Sequence, residues 1–492
     1  VHSHARWESK REHSEPNLKV ALRALGSHRA LNDAIHRFPI IGLSQGRNFL
    51  VAGKYFISES ARVNRSGNQP GKGAWTALAL LLGINLFNYI DRYILAAVEP
   101  EIRRTFFLPD DPDAMAKTGA LATAFLVSYM VTAPLFGWLA DRVSRWWIVG
   151  LSVAVWSLAS AGSGLAATFS ILLITRLFVG IGEAGYGPSA PTIISDHFPI
   201  SFRGRALAFF YMAIPVGSAL GYALGGGISA HFGSWRFPFY LVAPPGLALG
   251  ALCLFMRDPR GGKAERRNEG KRKSKIAGYT ALLRNPSYVL NTLAMTAMTF
   301  AIGGLSFWIP GYIFEYRHQP DLARINMIFG GITVVAGFLA TLLGGIVGDR
   351  LTKRFPGAYF MLSGCGMFCA FPFTVAFLYA PFPLAWLFVF LAVFCLFFNT
   401  GPSNTALANV THPSVRATAF ALNIFVIHAL GDAISPPLIG WIAGRWRMNA
   451  AFLLVAAVML VAGGIWLAGV KFLGRDTARV LADSGKGAID AT

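Results

Sequence analysis

Twelve stretches of the chain are apolar for long enough to cross a bilayer as helices. They run 74–98, 119–140, 146–167, 171–194, 206–228, 237–256, 288–314, 325–347, 358–380, 384–408, 417–442 and 450–472. Roughly 20 apolar residues span the hydrocarbon core as a helix. Composition agrees: 14% of residues are charged and 54% hydrophobic, where a soluble globular chain carries about 25% charged residues. The expected fold class is an all-α membrane protein of twelve transmembrane helices. No soluble domain interrupts the spans.

The formal charge of +20 raises nucleic acid as a partner, but the distribution of the charge excludes it. Arg142 and Arg145 follow span two, Arg203 and Arg205 span four, Lys353 and Arg354 span eight, and Arg416 span ten. A run from Arg257 to Lys275 separates spans six and seven. All these loops lie on one side, which the positive-inside rule makes cytoplasmic. Both termini then lie in the cytoplasm. Asp110, Asp111 and Asp113, after span one, suit the opposite face, although Arg103, Arg104, Arg445 and Arg447 also fall there. The four cysteines, Cys253, Cys365, Cys369 and Cys395, lie in apolar runs and read as small core residues, with no disulfide framework and no metal site.

The chain repeats internally. Gly137-Trp-Leu-Ala-Asp141-Arg142-Val-Ser-Arg145 and Gly345-Ile-Val-Gly-Asp349-Arg350-Leu-Thr-Lys353 match in glycine, aspartate, arginine and final cation, 208 residues apart. Arg205-Ala-Leu-Ala-Phe209 and Arg416-Ala-Thr-Ala-Phe420 echo each other 211 residues apart. Two near-equal offsets imply two parallel six-span repeats with a binding site between them. The organisation expected is an N-terminal half (74–256), a basic cytoplasmic linker (257–287), a C-terminal half (288–472) and a C-terminal cytoplasmic tail (473–492). Residues 1–73 are polar and basic and lack a signal-peptide pattern. They read either as a disordered tail or as sequence ahead of a start at a valine codon such as Val51 or Val63, the latter favoured.

Charges inside the spans locate the chemistry. Span one carries Asp91 and Arg92 within NLFNYIDRY. Each charge at membrane depth costs about 2.5–3.5 kcal/mol unless it faces protein or water. Adjacent helical residues point about 100° apart, so each needs its own partner on another helix. Span four supplies Arg176 and Glu183, about two turns apart on one side. Carboxylates in a water-accessible cavity can serve as a protonation switch; the plainer alternative is a charge network that only fixes helix packing. In the repeated loop, Gly137 and Gly345 permit close helix approach. Asp141 and Asp349 can meet a helix N-terminus and pair with Arg142, Arg145 or Arg350. That contact forms only when the cytoplasmic side is shut, and so acts as a latch. Span eleven places His428 and Asp432 at i and i+4 on one face, a pair that reads as lining the substrate cavity and is too small for a metal site. Phe87, Tyr222, Phe307 and Trp308 offer an aromatic wall that is equally suited to helix packing.

The Gly-x-Leu-Ala-Asp-Arg-x-x-Arg loop resembles the signature loop of the major facilitator superfamily, and the resemblance covers residues 74 to 472. Together with NYIDRY, the run from Gly180 to Phe198, FYMAIPVGSALGY and RATAFALNIFVIHALGDAISPP, it is similar to the Spinster branch of that superfamily. The resemblance implies a proton-linked central network of Asp91, Arg92, Arg176 and Glu183. It also implies that Asn85 and Tyr222 line the substrate cavity. Animal members carry sphingosine-1-phosphate or lysophospholipids; the lack of long sequon-bearing outer loops suits a bacterial member. The expectation is a monomeric, proton-coupled secondary transporter of an amphipathic anion in the cell membrane, surrounded by membrane lipids, with no cofactor. The alternatives are a proton-linked carrier of small organic anions, sugars or drugs and a polytopic membrane enzyme. The chain has no H-E-x-x-H motif for the last, its G-x-S-x-G match, Gly42-Leu-Ser-Gln-Gly46, lies ahead of the first span, and it has no G-x-x-x-x-G-K-[ST] motif for ATP drive.

Overall fold

Polar residues at the edges of the apolar runs start the helices. Thr168 caps span four by accepting from the Ile171 amide at 3.3 Å. Asn285 and Asp321 cap spans seven and eight, accepting from the Tyr288 and Arg324 amides at 3.2 and 3.0 Å. These bonds satisfy donors that a helix start leaves free. Span five ends at Gly233 in the left-handed region, φ 66°, where a glycine carries no steric cost.

The computed structural model describes residues 70, 71, 73–140, 142–258, 282–413 and 415–489. Within them twelve helices have membrane-spanning length and hydropathy: Ala74–Ala97, Ala114–Ala140, Arg145–Leu165, Phe169–His197, Phe202–Phe232, Phe237–Leu254, Pro286–Glu315, Leu322–Thr352, Ala358–Tyr379, Leu384–Asn409, Thr418–Arg445 and Met448–Ala482. The described residues hold no strand. A short helix, Glu99–Phe106, follows span one. Span eleven contains a π-helical turn, His428–Asp432, closed by an Ala433 amide to His428 carbonyl bond of 3.1 Å. The helix of span twelve continues to Ile489, so the segment read as a tail begins as helix. Residues 1–69 and most of the basic linker lie outside the described residues.

Packing repeats as the sequence does. Span one packs on five, two on four and three on six; seven packs on eleven, eight on ten and nine on twelve. The halves meet along two seams, span five against eight and span two against eleven. Glycines set how close the seams come. A Cβ at Gly330 would lie 2.8 Å from the Ala219 carbonyl oxygen, and one at Gly440 would collide with the Met115 carbonyl. Two of the cysteines depart from the core reading: Cys365 and Cys369 are exposed. Span nine is apolar all round, and such a helix does not specify which face turns inward.

Candidate functional site

Asp91 and Arg92 diverge from span one as adjacent helical residues must. Arg92 reaches span four, where its Nε donates to a Glu183 carboxylate oxygen at 2.9 Å. Its guanidinium also lies over the rings of Phe125 and Tyr89, 4.7 and 5.1 Å from their centroids. Asp91 accepts from Ser160 of span three and faces Arg176 at 3.8 Å. Arg176 in turn donates to Ser163 at 2.5 Å and lies over Phe239. The network therefore consists of two acid–arginine pairs joining spans one, three and four. It is not saturated: Glu183 Oε1, Asp91 Oδ2 and Arg176 Nε have no hydrogen-bond partner among the described residues. That leaves room for a proton or for a different pairing.

A cavity of about 170 Å³ lies between the halves beside this network. Asp91, Arg92 and Arg176 line it from the N-terminal half, Phe307 and Asp432 from the C-terminal half, and Phe125 adds to its apolar wall. Glu183 stands behind Arg92. His428 lies one turn from Asp432, its Nδ1 3.0 Å from the carboxylate, and outside the cavity lining. The π-helical turn carries both residues, as such turns often do at functional sites.

Besides His428, four residues read as cavity-lining lie elsewhere. Asn85 is buried, its amide donating to the Phe210 carbonyl at 3.0 Å in the span one–five contact. Phe87 packs half-buried against the core. Trp308 is buried and donates to the Pro436 carbonyl at 2.9 Å within the C-terminal half. Tyr222 is fully buried between Tyr93 and Phe329, its hydroxyl donating across the seam to the Ser306 carbonyl at 2.5 Å.

The described latch residues do not join the halves in this conformation. A Cβ at Gly137 would meet nothing within 4 Å, so Gly137 supports no close approach here. A Cβ at Gly345 would likewise meet nothing within 4 Å, whereas one at Gly401 of span ten would lie 3.1 Å from the Gly345 backbone. Arg142 folds back over Trp138 of its own helix. Arg145 pairs with Asp196 at 2.7 Å and Asp258 at 2.6 Å, tying together spans three, four and six. Burial alone would raise the Asp258 carboxyl, but hydrogen bonds and charge from Arg145 outweigh it and hold the group below its ordinary range. Asp349 accepts from Tyr359 at 2.9 Å, and Arg350 is exposed. Asp141 lies outside the described residues.

Among the described residues, every hydrogen bond and ion pair between the halves lies at the cavity or on its acidic-loop side. Glu315 of span seven takes Arg103, and Arg104 at 3.0 Å. Arg445 pairs with Asp113 at 2.9 Å. Toward the basic loops no such bond joins the halves among the described residues, and Leu135 and Trp138 of span two and Ile424 and Phe425 of span eleven are exposed. Among the described residues, bonds and ion pairs join the halves on the acidic-loop side and not on the basic-loop side. Sequence reasoning missed this ion-pair gate. The signal it held was that Arg103, Arg104 and Arg445 break the charge asymmetry of the loops.

A sequence profile of the Major Facilitator Superfamily matches residues 81–434. Protein spinster homolog 1 of Homo sapiens is 37% identical over 83% of this chain and 81% of its own length. The Xenopus tropicalis protein of that name is 35% identical over 82% of each. The chain belongs to the Spinster family of the major facilitator superfamily. The fold of this Spinster chain matches the crystal structure of a bacterial homolog to human lysosomal transporter Spinster, in inward-facing and unoccupied conformation, with TM-score 0.69 and 23% identity over 83% of this chain and 98% of that one. A D-xylose-proton symporter structure matches with TM-score 0.63 and 17% identity, covering 80% and 96%. At these identities the two structures speak to the fold alone. It is the fold of membrane transporters.

Proposed function

We propose that this Spinster-type transporter moves an amphipathic anion, of lysophospholipid or sphingoid-phosphate class, across the cell membrane by alternating access coupled to protons. The observation that carries the reading is the pairing of Arg92 and Arg176 with two carboxylates at the wall of a cavity between the halves. Guanidinium groups suit a phosphate or carboxylate head, and Phe125 and Phe307 offer an apolar wall to a chain. Burial disfavours a charged carboxyl, so a proton can compete with arginine for the same acid. Protonation releases the arginine for the substrate, and the two ligands are then linked through one equilibrium. With the basic loops cytoplasmic, the conformation is the inward-open one. The chain acts without a cofactor and as a monomer.

The test is binding of a lysophospholipid series to the purified chain by thermal shift, since a ligand of the folded state raises its apparent stability. Stabilisation that needs both the anionic head and an acyl chain supports the reading. Stabilisation by sugars or small organic anions alone moves the cargo to the other class.

A further inference from the structure

Three side chains reach across the seams to backbone carbonyls, and each carbonyl lacks its usual intrahelical donor. The donor for Ser306 would be residue 310, a proline; Tyr222 Oη supplies the bond at 2.5 Å. The donor for Ala433 would be residue 437, again a proline; Thr123 Oγ1 supplies it at 2.5 Å. The Glu101 amide, which would serve Ala97, turns instead to the Val98 carbonyl; Asn326 Nδ2 supplies the bond to Ala97 at 3.0 Å. Proline lacks the amide hydrogen and so frees the carbonyl four residues back. A carbonyl freed in an apolar interior needs another donor.

Thr123 shows that this is more than local convenience. Threonine hydroxyls in helices commonly bond the carbonyl four residues back, and Thr132, Thr296, Thr333 and Thr374 do so here. Thr123 instead reaches span eleven. The two proline-freed carbonyls flank the cavity: Ser306 lines it, and Ala433 follows Asp432, which also lines it. Thr123 follows the lining residue Ala122. The Thr123 bond lies on the seam of spans two and eleven, and the Tyr222 bond joins span five to span seven beside the other seam.

We infer that Thr123 and Tyr222 are positioning residues that hold the cavity shut on its acidic-loop side by docking onto the carbonyls freed by Pro437 and Pro310. The halves cannot part on that side without leaving these carbonyls bare, so the bonds bias the equilibrium between inward-open and outward-open forms. This rests on the alternating-access reading.

The experiment is pulsed electron paramagnetic resonance on the full chain in nanodiscs, in a cysteine-free background. One spin-label pair, at Asp110 and Arg447, reports the acidic-loop side; another, at Leu135 and Ile424, reports the basic-loop side. Thr123→Val and Tyr222→Phe should each raise the ratio of outward-open to inward-open forms about fivefold, the worth of one net hydrogen bond. Thr123→Ser should behave as wild type. Pro437→Ala restores the helical donor, so adding Thr123→Val to it should change the ratio no further. Unchanged distances in both Thr123→Val and Tyr222→Phe overturn the inference. So does Thr123→Ser behaving as Thr123→Val, or full additivity in the Pro437→Ala background. If instead wild type keeps one pair of distances at every pH and lysophospholipid concentration, alternating access itself fails.

Discussion

Asp91→Asn is expected to destabilise the N-terminal half more than Glu183→Gln, although each removes one carboxylate from an acid–arginine pair. Breaking a buried pair costs about 3–5 kcal/mol, because a charge is left without compensation. Asp91→Asn strands Arg176, whose side chain is 3% exposed. So little exposure leaves water little room to screen the charge, and the cost should lie near the upper limit, about 5 kcal/mol. Glu183→Gln strands Arg92, whose side chain is 25% exposed to the cavity and rests on two aromatic faces. Cation–π contact contributes about 0.5–2 kcal/mol, and partial hydration screens the rest, which puts the cost near 3 kcal/mol. The difference of about 2 kcal/mol is close to thirtyfold in the unfolding equilibrium, at about tenfold per 1.4 kcal/mol. Equilibrium unfolding in mixed micelles measures it. Equal destabilisation, or a larger effect of Glu183→Gln, refutes the assignment of Arg176 as the more deeply committed charge.

Glu315→Gln removes the acid shared by Arg103 and Arg104, and should increase labelling of cysteines placed behind the acidic-loop gate. Asp349→Asn and Asp141→Asn should raise cysteine accessibility at the basic-loop end, more so for Asp141→Asn; unchanged labelling at every position rejects the latch. Asp258 contributes stability that is present above its unfolded pKa and lost as pH falls through its lowered folded value. Thermal unfolding of Asp258→Asn should therefore lie below wild type at neutral pH and converge with it in acid.

The spans and their duplication were legible because hydropathy runs and loop charges are properties of the chain taken locally. The four charges inside the spans were legible for the same reason, since an ionised group in an apolar run demands a partner. What the sequence left open was angle. Asn85, Tyr222 and Trp308 sit in the correct spans, but a polar or aromatic residue on a helix serves a seam as readily as a cavity, and only packing decides which. Gly137 and Gly345 read as sites of close helix approach, yet a Cβ at either would meet nothing within 4 Å in this conformation. The gate formed by Glu315 with Arg103 and Arg104 joins residues 211 and 212 positions apart, and no local pattern announces such a contact.

The claim at the centre is that Glu183 and Asp91 link proton movement to substrate movement, and uptake into proteoliposomes tests it most directly. Purified chain is reconstituted and uptake of a radiolabelled lysophospholipid is followed with and without an imposed pH gradient. Glu183→Gln, fixed in the neutral form, should keep exchange of substrate across the membrane and lose accumulation driven by the gradient. If Glu183→Gln accumulates substrate as wild type does, Glu183 is a packing residue and the account of coupling is wrong.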